Sequence, residues 1–447
     1  MYILTNGRLI TRDPDARGYY EKGAVVYEGS KIVEVGEEAA LTAKYPQAEK
    51  IDAKGGVIMP ALINAHTHIY SALARGLSIV GNNPTNFLEV LEGTWWAIDR
   101  HLTLEGTRAS ADALYIDCIK QGVTTVFDHH ASYCQIPGSL FQIGESAKKF
   151  GIRSCLCYEV SDRDGEEKCL EAIRENADWI TYCREHNDPM LAAMFGGHAL
   201  FTISDKTFDR MVEANNGRTG YHIHVSEGMN DVYDSLQNYG RRPVQRLQDH
   251  GILGEKTILG HCIHVNTAEM ELIRETGTMV VNNPESNMGN AIGICPVIQL
   301  YKRGILLGMG TDAYTNDMLE SLKVALCSQR SQNCLPNVGW CEVTDMLFKN
   351  NAKIGEKYFP DTLGVLKAGA AADIIVMDYK PFTPFSDENI DGHMIFGMTG
   401  RQCQTTIAAG KLLMKDRELV GIDEEAENAH ILEASRKLWG TLNHREY

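Results

Sequence analysis

The chain has 447 residues, more than one ordinary core accommodates, and a barrel of about 250–300 residues with a smaller companion domain suits that length. Hydrophobic residues make up 44% and charged residues 23%, as in a soluble globular protein, and the net charge of −16 argues against nucleic acid or an anionic membrane as a partner. Twelve cysteines lie scattered without the spacing of a disulfide framework, and no run of about eighteen apolar residues exists to span a membrane.

The opening MYILTNGRLI carries no basic leader and no export segment, so a cytoplasmic location with reduced thiols is expected. The first fifty residues read as short strands at 2–5, 24–27 and 32–35, the last two joined by the turn-forming Glu28-Gly29-Ser30. From Gly56 apolar strands alternate with amphipathic stretches. Strands are predicted at 57–65, 124–127, 153–158, 191–195, 221–225, 257–260, 278–282 and 305–309, with helices such as 178–185 and 268–275 between them. Cys155 and Cys157 fall within the third of these strands and read as core thiols rather than as a redox or metal pair. After about residue 365 short strands return at 373–378, 403–408 and 411–414, and 422–443 reads as a terminal helix. The predicted class is α/β: a (β/α)₈ TIM barrel over 57–364, a small β-sandwich domain built from both chain ends (1–56 and 365–421), and a C-terminal helix in 422–447.

The candidate chemistry clusters at the ends of the barrel strands. His66-Thr67-His68 ends the first; residues two apart on a strand share a face, so both imidazoles can converge on one ion. His224-Val225-Ser226-Glu227 ends the fifth, where His224 can ligate the same metal and Glu227 can reach over a bound substrate. His222, two residues earlier, points deeper and reads as a hydrogen-bonded core residue. His261 ends the sixth strand and Gly310-Thr311-Asp312 the eighth. Each position alone favours a structural role; four at the same end of alternating strands favour a site.

The ordered motifs HTH, HVSE, GHC and GTD resemble those of the amidohydrolase superfamily, in its aminohydrolase and chlorohydrolase branch. The flanks agree: Pro60-Ala61-Leu62-Ile63-Asn64-Ala65 before the histidines, and Leu366-Lys367-Ala368-Gly369-Ala370-Ala371-Ala372-Asp373 at the return to the β-domain. Ala61 stands where the family has glycine, which allows a local backbone shift. A narrower resemblance is to the SsnA group of aminohydrolases, carried by HTHIYSALARGL, WWAIDRHL, DHHAS, EVSDRDG and FTPFSDENIDGHMIFGM, a group tied to purine breakdown.

The resemblance implies one divalent metal ion held by His66, His68, His224 and Asp312, with zinc the first choice and iron(II) or manganese compatible with the donor set. It implies that Asp312 takes the proton of the attacking water, that Glu227 shuttles protons to the ring and leaving group, and that His261 hydrogen-bonds the water or the developing oxyanion. Binuclear relatives carry a bridging lysine on the fourth strand, where this chain reads Leu191-Ala192-Ala193-Met194-Phe195. Glu159, ending the third strand, is a ligand in some relatives; here it reads as a substrate-binding or structural residue. His198 matches a substrate contact of deaminating relatives, and His129 is a candidate either for substrate contact or for support behind the ligands. Trp95 and Trp96 can serve as a stacking lid or as helix packing. Guanine deaminases carry a glutamine just after the first motif; Ile69, Tyr70 and Ser71 here argue against guanine. The expected activity is hydrolysis of a C–N bond in a small nitrogen heterocycle, most simply deamination of a purine-like compound. Ring opening of a cyclic amide and a catalytically silent scaffold are the alternatives. A small heterocyclic partner and a homodimer or larger homo-oligomer are expected.

Overall fold

A computed structural model describes residues 1–447. Eight parallel strand positions close into a barrel. The first three are Leu62–Thr67, Val123–His130 and Arg153–Tyr158. The fourth position holds two pieces, Leu191–Ala193 bonded to the third strand and Phe195–Ala199 bonded to the fifth. Tyr221–Val225, Ile258–His261, Met279–Asn282 and Leu307–Met309 complete the order. Backbone N–H groups of Thr311 and Asp312 donate to the His66 carbonyl at 3.0 and 3.1 Å, which ties the last strand to the first. The predicted third and fifth strands match the observed bounds.

The run predicted as one strand over 57–65 is two. Val57–Pro60 belongs to a different sheet, paired with Tyr2–Ile10 on one side and Ile374–Met377 on the other. The changeover is at Ala61, whose N–H donates to Asp373 while the Leu62 N–H donates to Gly122 of the barrel. Ala61 is not among the positive-φ residues, so the family's glycine is not required by its backbone.

That second sheet has nine strands and is assembled from both chain ends. Its core mixes Leu4, Val25, Ile51 and Ile58 from the first sixty residues with Ile374, Val376 and Ile407 from the last eighty. Neither set could bury its apolar face alone. Truncation after residue 364 is therefore expected to leave an insoluble or unfolded product, checked by thermal unfolding of the soluble fraction.

Arg153 fastens this domain to the barrel floor. It is fully buried, bonds Thr125 Oγ1 at 3.1 Å and pairs with Asp373, whose other oxygen accepts the Ala409 N–H. Asp373→Ala leaves the guanidinium with Asp361, 3.6 Å away, as its one carboxylate, and should cost about 3 kcal/mol, measurable by denaturant titration.

Between the first two barrel strands the chain runs through Ile69–Ala74, then a lid of short helical turns, Phe87–Val90, Leu91–Trp95 and Trp96–Asp99. The C-terminal helix, Glu424–Asn443, packs against the barrel helix Leu104–Gln121. The Trp439 indole N–H donates to Leu73 O at 2.8 Å, and Asn443 Oδ1 accepts from Val80 N at 2.7 Å. No helix is long and apolar enough to cross a membrane.

Candidate metal centre and active site

His66, His68, His224, His261 and Asp312 converge at the carboxyl end of the barrel, all buried. Several of these strand ends turn with left-handed backbone: Ser226 at φ 48°, His261 at 69° and Asp312 at 55°. Such angles are uncommon for side chains larger than glycine, and here they swing the chain sharply at the residues that face inward.

Ligand atoms of His66, His224, His261 and Asp312 lie within 4.8 Å of one another. His68 Nε2 is 2.9 Å from Asp312 Oδ1 and 3.2 Å from His224 Nε2, and His66 Nε2 is 3.6 Å from the same carboxylate oxygen. Tautomers follow from the other ring nitrogens. His68 Nδ1 faces the His129 carbonyl at 2.5 Å and His224 Nδ1 the His198 carbonyl at 2.8 Å, so both Nδ1 atoms donate. In the neutral rings both Nε2 lone pairs are then free and share one space, 3.2 Å apart, and His66 Nε2 is a buried nitrogen without a hydrogen-bond partner. Free lone pairs beside a carboxylate, with an orphaned nitrogen alongside, fit a divalent cation.

His222 was legible only as a core residue. Its Nε2 lies 2.8 Å from His66 Nδ1, and with His66 Nδ1 as the donor the His66 Nε2 lone pair is left for the cluster. His129 sits behind the ligands, away from the cavity wall: Nδ1 contacts Glu159 Oε1 and Nε2 the His222 carbonyl, both at 2.9 Å. His68, His129, Glu159 and His224 form another group within ligating distance, but both ring nitrogens of His129 are engaged within the protein. Ser286 donates to Asp312 Oδ2, and Asn287 Oδ1 accepts from His261 Nδ1 at 2.7 Å. These two come from the helix Pro284–Gly289 after the seventh strand, whose Asn-Asn-Pro-Glu-Ser-Asn run could have been suspected from its position alone.

Burial, then the Asp312 charge, pushes the Glu227 carboxyl well above its usual range. Asp312 moves the opposite way: burial resists its charge, but His68 and His66 hold it well below the usual range. Burial also opposes charge on His68, yet Asp312 and Glu159 hold that imidazole up, at about 9 in the absence of an ion. For His66 burial wins and its pKa falls to about 3. Burial lowers His261 too. Glu227 Oε1 stands 3.6 Å and Asp312 Oδ2 4.0 Å from His261 Nε2, so two carboxyls whose surroundings shift them in opposite directions flank the same imidazole.

The cavity above this cluster is about 30 Å³ and is lined by Tyr70, Phe87, Leu91, Trp95 and Trp96 together with His68, Glu159, His198, His224, Glu227 and Asp312. Both tryptophans of the lid thus form its wall. His198 reaches it as expected; its Nδ1 faces Thr202 Oγ1 at 2.8 Å, and since that hydroxyl donates to Ala199 O, His198 Nε2 is the acceptor. Glu159 Oε2 is 3.9 Å from that nitrogen. The Glu159 and His198 side of the cavity therefore presents acceptors.

A closed barrel with buried histidines and an aspartate gathered at its carboxyl end defines the class of barrel hydrolases. The chain belongs to the amidohydrolase family: that family's profile matches residues 57–413, and residues 23–48 match an imidazolonepropionase-like composite domain of bacteria. It is 30% identical over 453 aligned residues to the 5′-deoxyadenosine deaminase of Methanosarcina mazei, covering 99% of both chains. It is 31% identical to the 5-methylthioadenosine/S-adenosylhomocysteine deaminase of Thermococcus sibiricus, covering 88% of this chain and 90% of that one. Among solved structures, an adenosine deaminase from Xanthomonas campestris with bound zinc superposes with a TM-score of 0.86 at 22% identity, covering 98% of each chain.

Proposed function

We propose that the chain is a metal-dependent deaminase that hydrolyses the exocyclic C–N bond of a purine-like compound and releases ammonia. The observation that carries this reading is the placing of two carboxyls beside one imidazole, Glu227 Oε1 at 3.6 Å and Asp312 Oδ2 at 4.0 Å from His261 Nε2, with surroundings that push Glu227 up and hold Asp312 down. Deamination needs an acid at the ring nitrogen and a base at the attacking water at the same time.

His66, His68, His224 and Asp312 would hold one divalent ion, zinc suiting a donor set of three imidazoles and a carboxylate. Such an ion supplies Lewis acidity and a water acidified toward neutrality. A single ion is favoured by the engaged nitrogens of His129 and by the absence of lysine between Leu191 and Ala199. Asp312 takes the proton of the attacking water. Glu227 protonates the ring nitrogen beside the carbon under attack, regains a proton from the added hydroxyl as the carbonyl forms, and passes it to the departing amine, while the proton left on Asp312 returns through solvent to reset Glu227. His261, its Nδ1–H held by Asn287, orients the water through Nε2. His129 keeps His68 and Glu159 in place. Glu159 and His198 Nε2 accept hydrogen bonds from substrate donors, and Trp95, Trp96, Phe87 and Tyr70 supply flat walls for a ring.

The relatives named as deaminases of adenine nucleosides support this reading. The deciding assay is a panel of 5′-deoxyadenosine, adenosine, free purines and dihydropurines scored for ammonia release and ring absorbance. Ammonia with a retained ring absorbance is the expected result. Lost absorbance without ammonia marks ring opening, and a panel without turnover on a zinc-loaded protein overturns the proposal.

A further inference from the structure

Two charged residues at the end of the lid, Asp99 and Arg100, meet two of opposite charge, in the same order, on the loop after the third barrel strand. Asp99 pairs with Arg163, through Oδ1 at 3.4 Å and a closer contact at Oδ2. Next to it Arg100 Nε lies 2.7 Å from Asp164 Oδ1, and Arg163 Nη1 also reaches Asp164 at 3.3 Å. The inner pair is dry, with side chains 5% exposed for Arg163 and 1% for Asp99, whereas Arg100 is 40% exposed. A buried Asp–Arg pair adds little net stability, because desolvation offsets the attraction. What it supplies is geometry. The Arg163 guanidinium lies 4.1 Å from the Tyr133 ring centre and 5.0 Å from that of Trp96. Trp96 walls the cavity, edge-on to His198 with ring centres 5.9 Å apart, and its buried indole N–H has no acceptor.

We propose that Asp99–Arg100 and Arg163–Asp164 form a clasp that sets Trp96 against the substrate, which makes Arg163 a positioning residue of the active site. The proposal rests on the hydrolase reading of the cavity. At about 30 Å³ the cavity holds a water or so and no fused ring, since small-molecule sites need about 300 Å³ or more. On this reading the lid lifts to admit a substrate, and closing the clasp returns Trp96 to the wall beside the ring.

The test is hydrogen exchange of the full-length protein, read over residues 87–99 and over the barrel strands, in Arg163→Met, Arg163→Lys and Arg100→Ala. Arg163→Met should speed exchange in 87–99 by about 100-fold, with strand amides and metal content unchanged. Arg163→Lys, which keeps the charge and loses the fork, should fall between, and the exposed Arg100→Ala should act least. With 5′-deoxyadenosine as the probe substrate, KM should rise more than kcat falls, and adding Trp96→Phe to Arg163→Met should cost little beyond either change alone. Unchanged exchange in 87–99 overturns the clasp, as does an equal rise across the barrel strands. If Arg163→Met does not fold, the lysine and Arg100 variants decide by the same comparison. No turnover of 5′-deoxyadenosine counts against the deaminase reading, while the exchange data still decide the clasp.

Discussion

Glu227→Gln is expected to keep its metal and its fold while turnover falls by about 10²- to 10⁴-fold, the usual contribution of a general acid–base group. The side chain is 13% exposed, its Oε1 is 3.6 Å from His261 Nε2, and it belongs to neither group of ligating atoms, so it stands beside the ligand cluster rather than in it. The amide occupies the same space and still makes hydrogen bonds, but it has no proton to give to a ring nitrogen. Because that proton transfer belongs to the transition state, kcat should drop with little change in KM. Asp312→Asn is the contrast. Asp312 Oδ1 touches both His68 and His66, so that substitution should lose metal along with turnover. Steady-state kinetics paired with metal analysis on both variants checks the assignment. Metal loss in Glu227→Gln equal to that in Asp312→Asn, or near-normal turnover, would overturn it.

His66→Ala and His224→Ala should each abolish stable metal binding, in a protein that otherwise carries close to one ion per chain. His66 Nε2 is the orphaned nitrogen of the cluster, and His224 Nε2 faces His68 Nε2 at 3.2 Å. Removing either leaves too few donors to replace the ion's water shell. The loss of affinity should exceed the range of about 10- to 100-fold typical for a partner that merely orients a ligand. His222→Phe, which removes the hydrogen bond to His66 Nδ1, should fall within that range. Elemental analysis of the purified variants is the measurement. Two tightly held ions per chain in the parent protein would sink the mononuclear reading.

The alternation of strands and helices was legible because parallel strands are largely apolar runs and their helices are amphipathic, and Arg153–Tyr158 and Tyr221–Val225 came out with their observed bounds. The inward residues at strand ends were legible for the same reason that HTH is: two imidazoles two residues apart share a face. What stayed hidden depends on contacts between distant segments. Val57–Pro60 runs into the apolar start of Leu62–Thr67 without a turn signal, and only the partners of Ala61 divide them. His222 and His224 look alike in sequence, yet one bonds His66 Nδ1 and the other faces His68 Nε2. Ser286 and Asn287 have the composition of an ordinary loop. The left-handed backbone of His261 and Asp312 is likewise invisible in the residue types, which do not call for it.

The sheet shared by the chain ends has a consequence for how the polypeptide is made. Val57–Pro60 finds Tyr2–Ile10 early, but its other edge pairs with Ile374–Met377, which leave the ribosome about 310 residues later. At about 5–20 residues per second, that edge stays open for about 15 to 60 seconds of synthesis. Val57, Ile58 and Met59 are all buried in the finished molecule, so an apolar strand with free N–H and C=O groups is presented to the cell for that whole interval. Yield in a heterologous host should therefore follow the supply of nascent-chain chaperones and the rate of translation more closely than the stability of the completed protein.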